Sequence, residues 1–283
     1  MTAVAIGLAL AAAAIHGTWN VLVKVSGDPM QTFRRGTVFA AVVITPITLV
    51  VWLVSGRPSL TPAAAGLAAL SALLELAYLV LLSAAYNRGE LSVVYPIARG
   101  SAPLLSVGAG LGLLGERLTP GQMAGVALLL LGILAVTLPQ TSGRATVPAL
   151  LTGVAIAAYS AVDRIGVRLS TPWLYGWLLI VLLAIGVVLS GWASAHISPP
   201  KRPEAQPVRW SQAAVIGIFM WGGYLLVLAA LSIAPLSVVA PVRETAIVAV
   251  AVWGIWKLRE RRGAVLKLLG AGATLVGVAL LAL

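Results

Sequence analysis

The 283-residue sequence contains no cysteine, two histidines and only eight acidic residues. Without thiols there can be no disulfide framework, no cysteine nucleophile and no cysteine-ligated metal. Charged residues make up 10% of the chain, whereas a soluble domain carries about a quarter. The chain is instead 60% hydrophobic, with a mean hydropathy of +1.02. We therefore predict an integral membrane protein.

The motifs of several other protein classes are also absent. The sequence has no G-x-x-x-x-G-K-[ST] loop, no H-E-x-x-H motif and no paired aspartates. We therefore expect no ATP-driven step on this chain, no metal, no cofactor and no enzymatic activity. The net charge of +11 does not predict binding to nucleic acid. The basic residues lie between apolar runs, where they orient a protein in the lipid bilayer.

Ten apolar runs are long enough to be considered membrane spans. A helix of roughly 20 apolar residues crosses the ~30 Å hydrocarbon core. The first run lacks the basic segment of a signal peptide, so we expect a retained helix, with a signal cleaved near Ala11–Ala13 as the alternative. The ten runs are 3–23, 37–54, 62–86, 91–114, 121–138, 146–167, 172–194, 210–231, 236–256 and 264–283.

The basic residues between the runs predict the topology. The odd-numbered connections carry thirteen lysines and arginines and the even-numbered ones carry four. Together with Arg99 and Arg243 inside the spans, these account for all nineteen. Because basic loops stay in the cytoplasm, the odd connections are predicted inside and both termini outside.

A repeat divides the chain into two halves. The sequence LSVV at 91–94 recurs at 236–239, an offset of 145 residues. The pairs that share this offset are Pro96 with Pro241, Gly125 with Gly270, and Gly132 with Gly277. Each half holds five spans, and an odd number means that the second half is inverted in the membrane. We therefore predict an all-α fold of ten transmembrane helices, in two inverted five-helix repeats (1–140 and 145–283) around a central cavity, as in secondary transporters.

Several segments carry a family resemblance. They are VVYPIARGSAPLL at 93–105, LLGERLT at 113–119 and VVAPVRETAIV at 238–248. With them the chain resembles the EamA-type branch of the drug/metabolite transporter superfamily. The resemblance implies a ten-helix carrier of the bacterial inner membrane, often an exporter of amino acids or other small metabolites. The chain departs from the pattern in LRER at 258–261, where the glutamate is one residue out of register with the first half.

Two arginines and two prolines lie within predicted spans. An arginine at membrane depth costs at least ~2.5 kcal/mol on insertion scales, so it must face a partner or water. We expect Arg99 and Arg243 to bind an acidic group of the substrate, with a structural ion pair between helices as the alternative. Pro96 and Pro241 are expected to break the same helices and to free backbone groups for a cavity; a kink that serves packing is the alternative.

Three further titratable groups are expected to serve in proton coupling. Neighbours on a helix point about 100° apart, so Glu244 and Arg243 should each need a partner of their own, and Arg99 is the one expected for Glu244. Glu75 lies mid-span, where a carboxyl group can exchange protons near neutral pH; the alternative is a fixed partner for an arginine. His16 is the third candidate, with a packing role as its alternative.

Polar and aromatic side chains near these groups are predicted to line the cavity. Asn20 follows His16 by four residues and Tyr78 follows Glu75 by three, so each pair shares a helix face. The residues predicted to bind substrate beside the arginines are Tyr95, Trp19, Asn20, Tyr78, Trp221 and Tyr224.

Two acidic residues are assigned to other places. Asp163 replaces Trp19 of the first half and is expected at a membrane interface, because Arg164 and Arg168 are close to it in sequence. Glu116 is expected to stabilise the N-terminus of the fifth helix.

The predicted function is secondary active transport of a small molecule, amino-acid-like or an organic anion, with export as the direction. Export of lipophilic cations is one alternative, although two buried arginines would repel such cargo. A non-transport intramembrane enzyme or lipid-handling protein is another. A monomer is expected; the GQMAG segment at 121–125 could also pack helices between two copies in a homodimer.

Overall fold

A computed structural model describes residues 2–26, 28–88, 91–137, 146–197, 208–246 and 264–282. These residues form ten helices: α1 Thr2–Val25, α2 Pro29–Val54, α3 Pro62–Arg88, α4 Leu91–Gly112, α5 Pro120–Thr137, α6 Thr146–Leu169, α7 Pro172–Ile197, α8 Trp210–Ile233, α9 Leu236–Arg243 and α10 Ala264–Ala282. In this part of the chain, six helices are long and apolar enough to cross a membrane, namely α1, α2, α3, α6, α7 and α8. The all-helical membrane architecture is therefore as predicted.

Helix ends follow local capping chemistry. The second helix begins at Pro29 and not near residue 37, because Asp28 caps it and accepts a hydrogen bond of 3.0 Å from the backbone N–H of Gln31. The start of α5 is the predicted capping box. There the Thr119 N–H donates to Gln122 Oε1 at 3.0 Å, and the Gln122 N–H donates to Thr119 Oγ1 at 3.3 Å.

The helices pack in a regular set of pairs. Helix α1 packs against α8, and α3 packs against α6. Helix α2 lies against α7 and α8, α7 also against α3, and α4 against α6 and α9. Helices α5 and α10 pack mainly against each other.

Glycines allow α5 and α10 to approach closely. A Cβ atom on Gly277 would lie 2.7 Å from the carbonyl oxygen of Gly125, and one on Gly132 would clash with Gly270 and Thr274. As the residue number rises along one helix it falls along the other, so the two helices are antiparallel. Gly125, part of the GQMAG segment, thus packs within the chain.

Polar and apolar residues are distributed in the reverse of the soluble pattern. Large aliphatic side chains are exposed on the outer faces, for example Val50 of α2 and Leu131 of α5. The buried polar and charged residues include His16, Asn20, Glu75, Arg99, Asp163, Arg243 and Glu244. Such groups in a membrane protein are rare and mark a site, because each needs a partner or a water-filled space.

Candidate functional site

Arg99, Arg243 and Glu244 form a buried cluster where α4 meets α9; we call it the arginine cluster. Arg99 Nη1 donates to Glu244 Oε1 at 3.0 Å and to Oε2 at 3.4 Å. Arg243 Nε donates to the same Oε1 at 3.1 Å. The three side chains are 2–3% exposed. The predicted pair of Arg99 with Glu244 is therefore present, and one carboxylate bridges two guanidinium groups.

The expectation that Arg243 and Glu244 would not meet is wrong. Helix α9 ends at Arg243, and Glu244 is its C-cap, with a φ of −85° and a ψ of 1°. Its N–H donates to the carbonyl of Pro241 at 3.2 Å, in a tight final turn. The 100° spacing of helical neighbours does not apply past the last helical residue, and two long side chains can then converge.

The two prolines differ in their position within a helix. Pro241 lies inside α9, two residues before its end. Helix α4 continues across position 96 to Gly112. The side chains of Pro96 and Tyr95 lie outside the described residues, so their predicted roles stay predictions.

Two further helices contribute side chains to Arg99. Its Nη2 donates to the hydroxyl of Tyr78 in α3 at 3.3 Å and is hydrogen-bonded to His16 Nε2 in α1. Four helices thus meet at one guanidinium group. His16 stacks edge-on against Trp19, with ring centroids 4.7 Å apart.

Asp163 and Glu75 form a second group with Tyr175 and Tyr224; we call it the carboxylate cluster. Asp163 is fully buried in α6, so its expected place at a membrane interface is wrong. The Tyr175 hydroxyl donates to Asp163 Oδ1 at 2.8 Å, and the Tyr224 hydroxyl donates to Oδ2. Arg164 follows Asp163 directly but points elsewhere, because successive helical residues face about 100° apart.

Glu75 is buried close to Asp163, and the two carboxylates interact electrostatically. Its Oε1 has no hydrogen-bond partner among the described residues. In the same part of the chain, neither Glu75 nor Asp163 belongs to an ion pair with N···O of 4.0 Å or less. The carboxylate cluster is therefore short of donors, whereas the arginine cluster has an excess of them.

A row of aromatic rings connects the two clusters. The ring centroids of Tyr78 and Tyr159 are 5.7 Å apart, those of Tyr159 and Tyr224 are 6.0 Å apart, and those of Tyr224 and Trp221 are 5.7 Å apart. The guanidinium carbon of Arg243 lies 6.0 Å from the centroid of Tyr159. The row therefore contacts the cation of Arg243 at Tyr159, and the next ring, Tyr224, donates to the carboxylate of Asp163.

A small cavity of about 30 Å³ lies beside this row. This volume is enough for one or two water molecules. The residues that line it are His16, Trp19, Glu75, Tyr78, Leu79, Tyr159, Leu183, Met220, Trp221 and Tyr224. Six of these were predicted as site residues, and Tyr159 was missed although it precedes Asp163 by four residues on the same helix face.

Three residues that were predicted to bind substrate contribute elsewhere. Arg99 and Arg243 belong to the arginine cluster and are outside the described lining of the cavity. Asn20 also lies outside it: its amide donates to the carbonyl of His16 at 2.8 Å and accepts from the Tyr86 hydroxyl at 3.0 Å. Asn20 therefore links α1 to α3.

Four buried polar atoms of the cavity lining lack hydrogen-bond partners within the described residues. They are His16 Nδ1, Trp19 Nε1, Glu75 Oε1 and Trp221 Nε1. The large majority of buried side-chain polar atoms in proteins are hydrogen-bonded, so four unpaired atoms around one small space are unusual. The described residues contain no group of three or more histidines and acidic residues able to hold a metal. All four atoms belong to residues that line the cavity, which is a space where water or a ligand can supply the missing partners.

Glu116 is a structural residue, but the helix it caps is α9, not the expected α5. Its carboxylate accepts hydrogen bonds from the backbone N–H of Leu236 at 2.7 Å and of Ser237 at 2.9 Å, and from Ser237 Oγ at 2.7 Å. Arg164 pairs with it at 3.3 Å. The loop after α4 is thereby joined to α6 and to the start of α9, at one end of the bundle.

Comparison with known proteins agrees with this architecture. A solved structure titled "Crystal structure of protein" is similar over 98% of this chain and 95% of its own, with a TM-score of 0.66 and 18% sequence identity, which indicates a common fold. No curated protein sequence matches the chain. The model of the EamA-like transporter family matches twice, at residues 3–138 and 144–283. The chain therefore belongs to the EamA-like transporter family.

Proposed function

We propose that the protein is a secondary active transporter that works by alternating access between two inverted five-helix halves. It moves a small metabolite, amino-acid-like or an organic anion, and exports it across the bacterial inner membrane, with both termini outside. One observation carries the proposal: Arg99 and Glu244, which form an ion pair, are separated by 145 residues, the same offset as the sequence repeat. Equivalent positions that touch lie on the axis relating the two halves.

The packing of the helices supports the inverted arrangement. When the two halves are exchanged, α1 corresponds to α6, α2 to α7 and α3 to α8. The α1–α8 contact then becomes the α6–α3 contact, and the α2–α8 contact becomes the α7–α3 contact. All four contacts occur. The exchange also converts the approach of Gly125 to Gly277 into that of Gly270 to Gly132, which is present too. An axis in the membrane plane requires such equivalent helices to be antiparallel, as α5 and α10 are.

The chemistry near the axis supports the roles we propose for the charged residues. Arg99 and Arg243 share a single carboxylate, so protonation of Glu244 would release donors of both arginines for an acidic group of the substrate. His16, bonded to Arg99, and Glu75, at the cavity, are the other proposed proton sites. Substrate and protons would then bind at the same few side chains.

The size of the cavity supports a closed state of the cycle. A volume of about 30 Å³ is far below the 300 Å³ or more of ordinary ligand pockets. A metabolite can enter only after helices on one side have separated. Alternating access therefore requires that the cavity open to each side in turn.

Cysteine accessibility tests this proposal directly, since the chain has no cysteine of its own. Leu183→Cys and Met220→Cys place single thiols in the cavity lining. We expect both thiols to react with a membrane-impermeant maleimide, in intact cells and in inverted membrane vesicles. Leu131→Cys, 61% exposed on the outer face of α5, is the control that should react in neither. Labelling from one side only would contradict alternating access.

Solute counterflow in proteoliposomes completes the test. Preloading with an unlabelled substrate should drive uptake of the labelled form, screened across amino acids and organic acids. Counterflow that Arg99→Ala and Arg243→Ala leave unchanged would remove the proposed role of the arginines.

A further inference from the structure

We propose that Glu116 and Arg164 form a latch, which closes the cavity at the end of the bundle where α8 turns into α9. Release of this latch opens the cavity at that end. The inference rests on the proposed transport function and adds a gate to it. Both residues lie outside the described lining of the cavity, so the latch acts on access to the cavity.

The cavity lies between two groups of helices. Helix α6 packs against α3 and α4, and helix α1 packs against α8 and α9; we call these sets the α6 group and the α1 group. Of the ten residues that line the cavity, four belong to the α6 group and five to the α1 group. A molecule can therefore reach the cavity only when the two groups separate at one end.

Glu116 connects the two groups at one of these ends. It lies in the loop that follows α4, and the bonds to its carboxylate come from Leu236 and Ser237 in the first turn of α9. The N–H groups of a first turn have no partner within their own helix, and the positive end of the helix favours a negative charge there. The loop of the α6 group is thereby attached to α9 of the α1 group.

Arg164 of α6 makes a second connection to the α1 group. Its Nη1 donates to the carbonyl of Leu231, two residues before the end of α8, and its Nε pairs with Glu116 at 3.3 Å. This carbonyl is one of the last four of its helix, which lack a partner within the helix. The side chains of Arg164 and Glu116 are only 11% and 7% exposed, so water competes little for these bonds. A guanidinium and a carboxylate thus hold the turn between α8 and α9 from both sides.

Two glycines hold the carboxylate of Glu116 in this place. Gly115 has a φ of +63°, which turns the chain back over the end of α4, and the Glu116 N–H then donates to the carbonyl of Gly110 at 2.9 Å. A Cβ atom on Gly110 would lie 2.4 Å from Glu116 Oε2 and 3.2 Å from the backbone nitrogen of Ser237. The loop can therefore reach α9 only because this position of α4 has no side chain.

The opposite end of the bundle has a related contact, between Asn20 of α1 and Tyr86 of α3. The Tyr86 hydroxyl donates to Asn20 Oδ1 at 3.0 Å and so also connects the two groups. Tyr86 and Leu231 are 145 residues apart, which is the offset of the repeat, and Asn20 and Arg164 are 144 residues apart. Helix α4, of 22 residues and therefore about 30 Å long, separates the two contacts. Alternating access requires that one of them break while the other holds.

A single thiol in the cavity tests the latch from both sides of the membrane. Met220→Cys in the full-length chain is labelled with a membrane-impermeant maleimide, in intact cells and in inverted membrane vesicles. Adding Glu116→Ala should raise the labelling rate in intact cells by roughly tenfold or more, as expected when hydrogen bonds to a charged group no longer favour one of two states. The rate in inverted vesicles should not rise, because the proposed topology places the latch outside.

Two further variants serve as matched comparisons. Tyr86→Phe removes the hydrogen bond to Asn20 at the opposite end, so it should raise labelling in inverted vesicles and not in intact cells. Thr119→Ala changes the same loop as Glu116→Ala, but it removes only the bond to Gln122 at the start of α5. It should therefore leave both labelling rates unchanged.

The inference is overturned if Glu116→Ala changes neither labelling rate, or if it raises both equally, as a general loosening of the fold would. Should Glu116→Ala fail to fold, Arg164→Gln decides the matter. It removes the ion pair and leaves the cap of α9, so a smaller rise is expected on the same side, and no rise there overturns the inference.

The outcomes also separate the latch from the proposals on which it rests. If Glu116→Ala and Tyr86→Phe each act on the side opposite to the one expected, the latch is supported and the proposed topology is reversed. If the variants act as expected but no solute shows counterflow, the proposed function falls and the latch remains. If counterflow occurs and Glu116→Ala leaves labelling unchanged, only this inference falls.

Discussion

The arginine cluster and the carboxylate cluster are connected by one aromatic row, but they satisfy their charges differently. In the first, two guanidinium groups converge on Glu244 and hold α4 against α9. In the second, Asp163 is neutralised by no cation in the described residues and relies on two tyrosine hydroxyls, while Glu75 keeps an unpaired oxygen at a cavity. A cluster whose bonds are mutually satisfied stabilises the fold, whereas one with unpaired groups is available to a ligand.

The largest effect is expected from removing the charge that the arginine cluster shares. Glu244→Gln would leave two buried arginines without a counterion, and breaking a buried ion pair in this way costs about 3–5 kcal/mol. The apparent Tm in detergent should fall sharply. Measured beside it, Glu75→Gln should leave Tm nearly unchanged. Equal losses in the two variants would mean that the clusters do not differ as argued.

The next effect concerns Asp163. Asp163→Leu would deprive the hydroxyls of Tyr175 and Tyr224 of their acceptor, which costs about 1–3 kcal/mol for buried groups. Asp163→Asn is the matched variant, because its amide still offers partners to both hydroxyls. Denaturant or thermal unfolding should therefore rank leucine well below asparagine. Similar stability of the two variants would show that the hydroxyl bonds contribute little.

Much of the fold was predictable, because apolar runs of membrane length have few alternatives to a helix. The capping box at Thr119 and Gln122 could also be predicted, because its partners are only three residues apart in the sequence. The start of α2 could not be predicted in this way. The residues around Arg34 and Arg35 are too polar to belong to an apolar run, although they are helical. Local capping by Asp28, not hydropathy, determines that boundary.

The candidate site was predictable only in part. The pairing of Arg99 with Glu244 follows from the repeat, which places both near one axis. Asp163 was misplaced because its basic sequence neighbours suggested a membrane interface, although neighbours on a helix face different surroundings. The cap that Glu116 provides for α9 joins residues that are 120 and 121 positions apart in the sequence. No local pattern encodes such a contact, so only the tertiary structure reveals it.

A smaller effect should distinguish the tyrosine that contacts the arginine cluster from the one that contacts Asp163. Tyr78→Phe removes a single hydrogen bond of 3.3 Å to Arg99 and keeps the ring in place. Polar interactions inside membrane proteins average about 0.6 kcal/mol, so the loss of stability should be near this value. Tyr224→Phe, which removes a donor to Asp163, should cost more. The reverse order would argue that Asp163 does not depend on its hydroxyl donors.

The smallest change in stability, and the largest in function, is expected at Glu75. Its Oε1 has no partner among the described residues, so Glu75→Gln breaks no hydrogen bond at that atom, and a nearly isosteric amide should alter unfolding by no more than about 0.5 kcal/mol. Uptake driven by a proton gradient should nevertheless be lost, because an amide cannot carry a proton. The two measurements together separate a ligand site from a structural one: a stable, inactive variant supports the former. A variant that is as active as the unmodified protein, with the same dependence on pH, would leave Glu75 without a role in either binding or coupling.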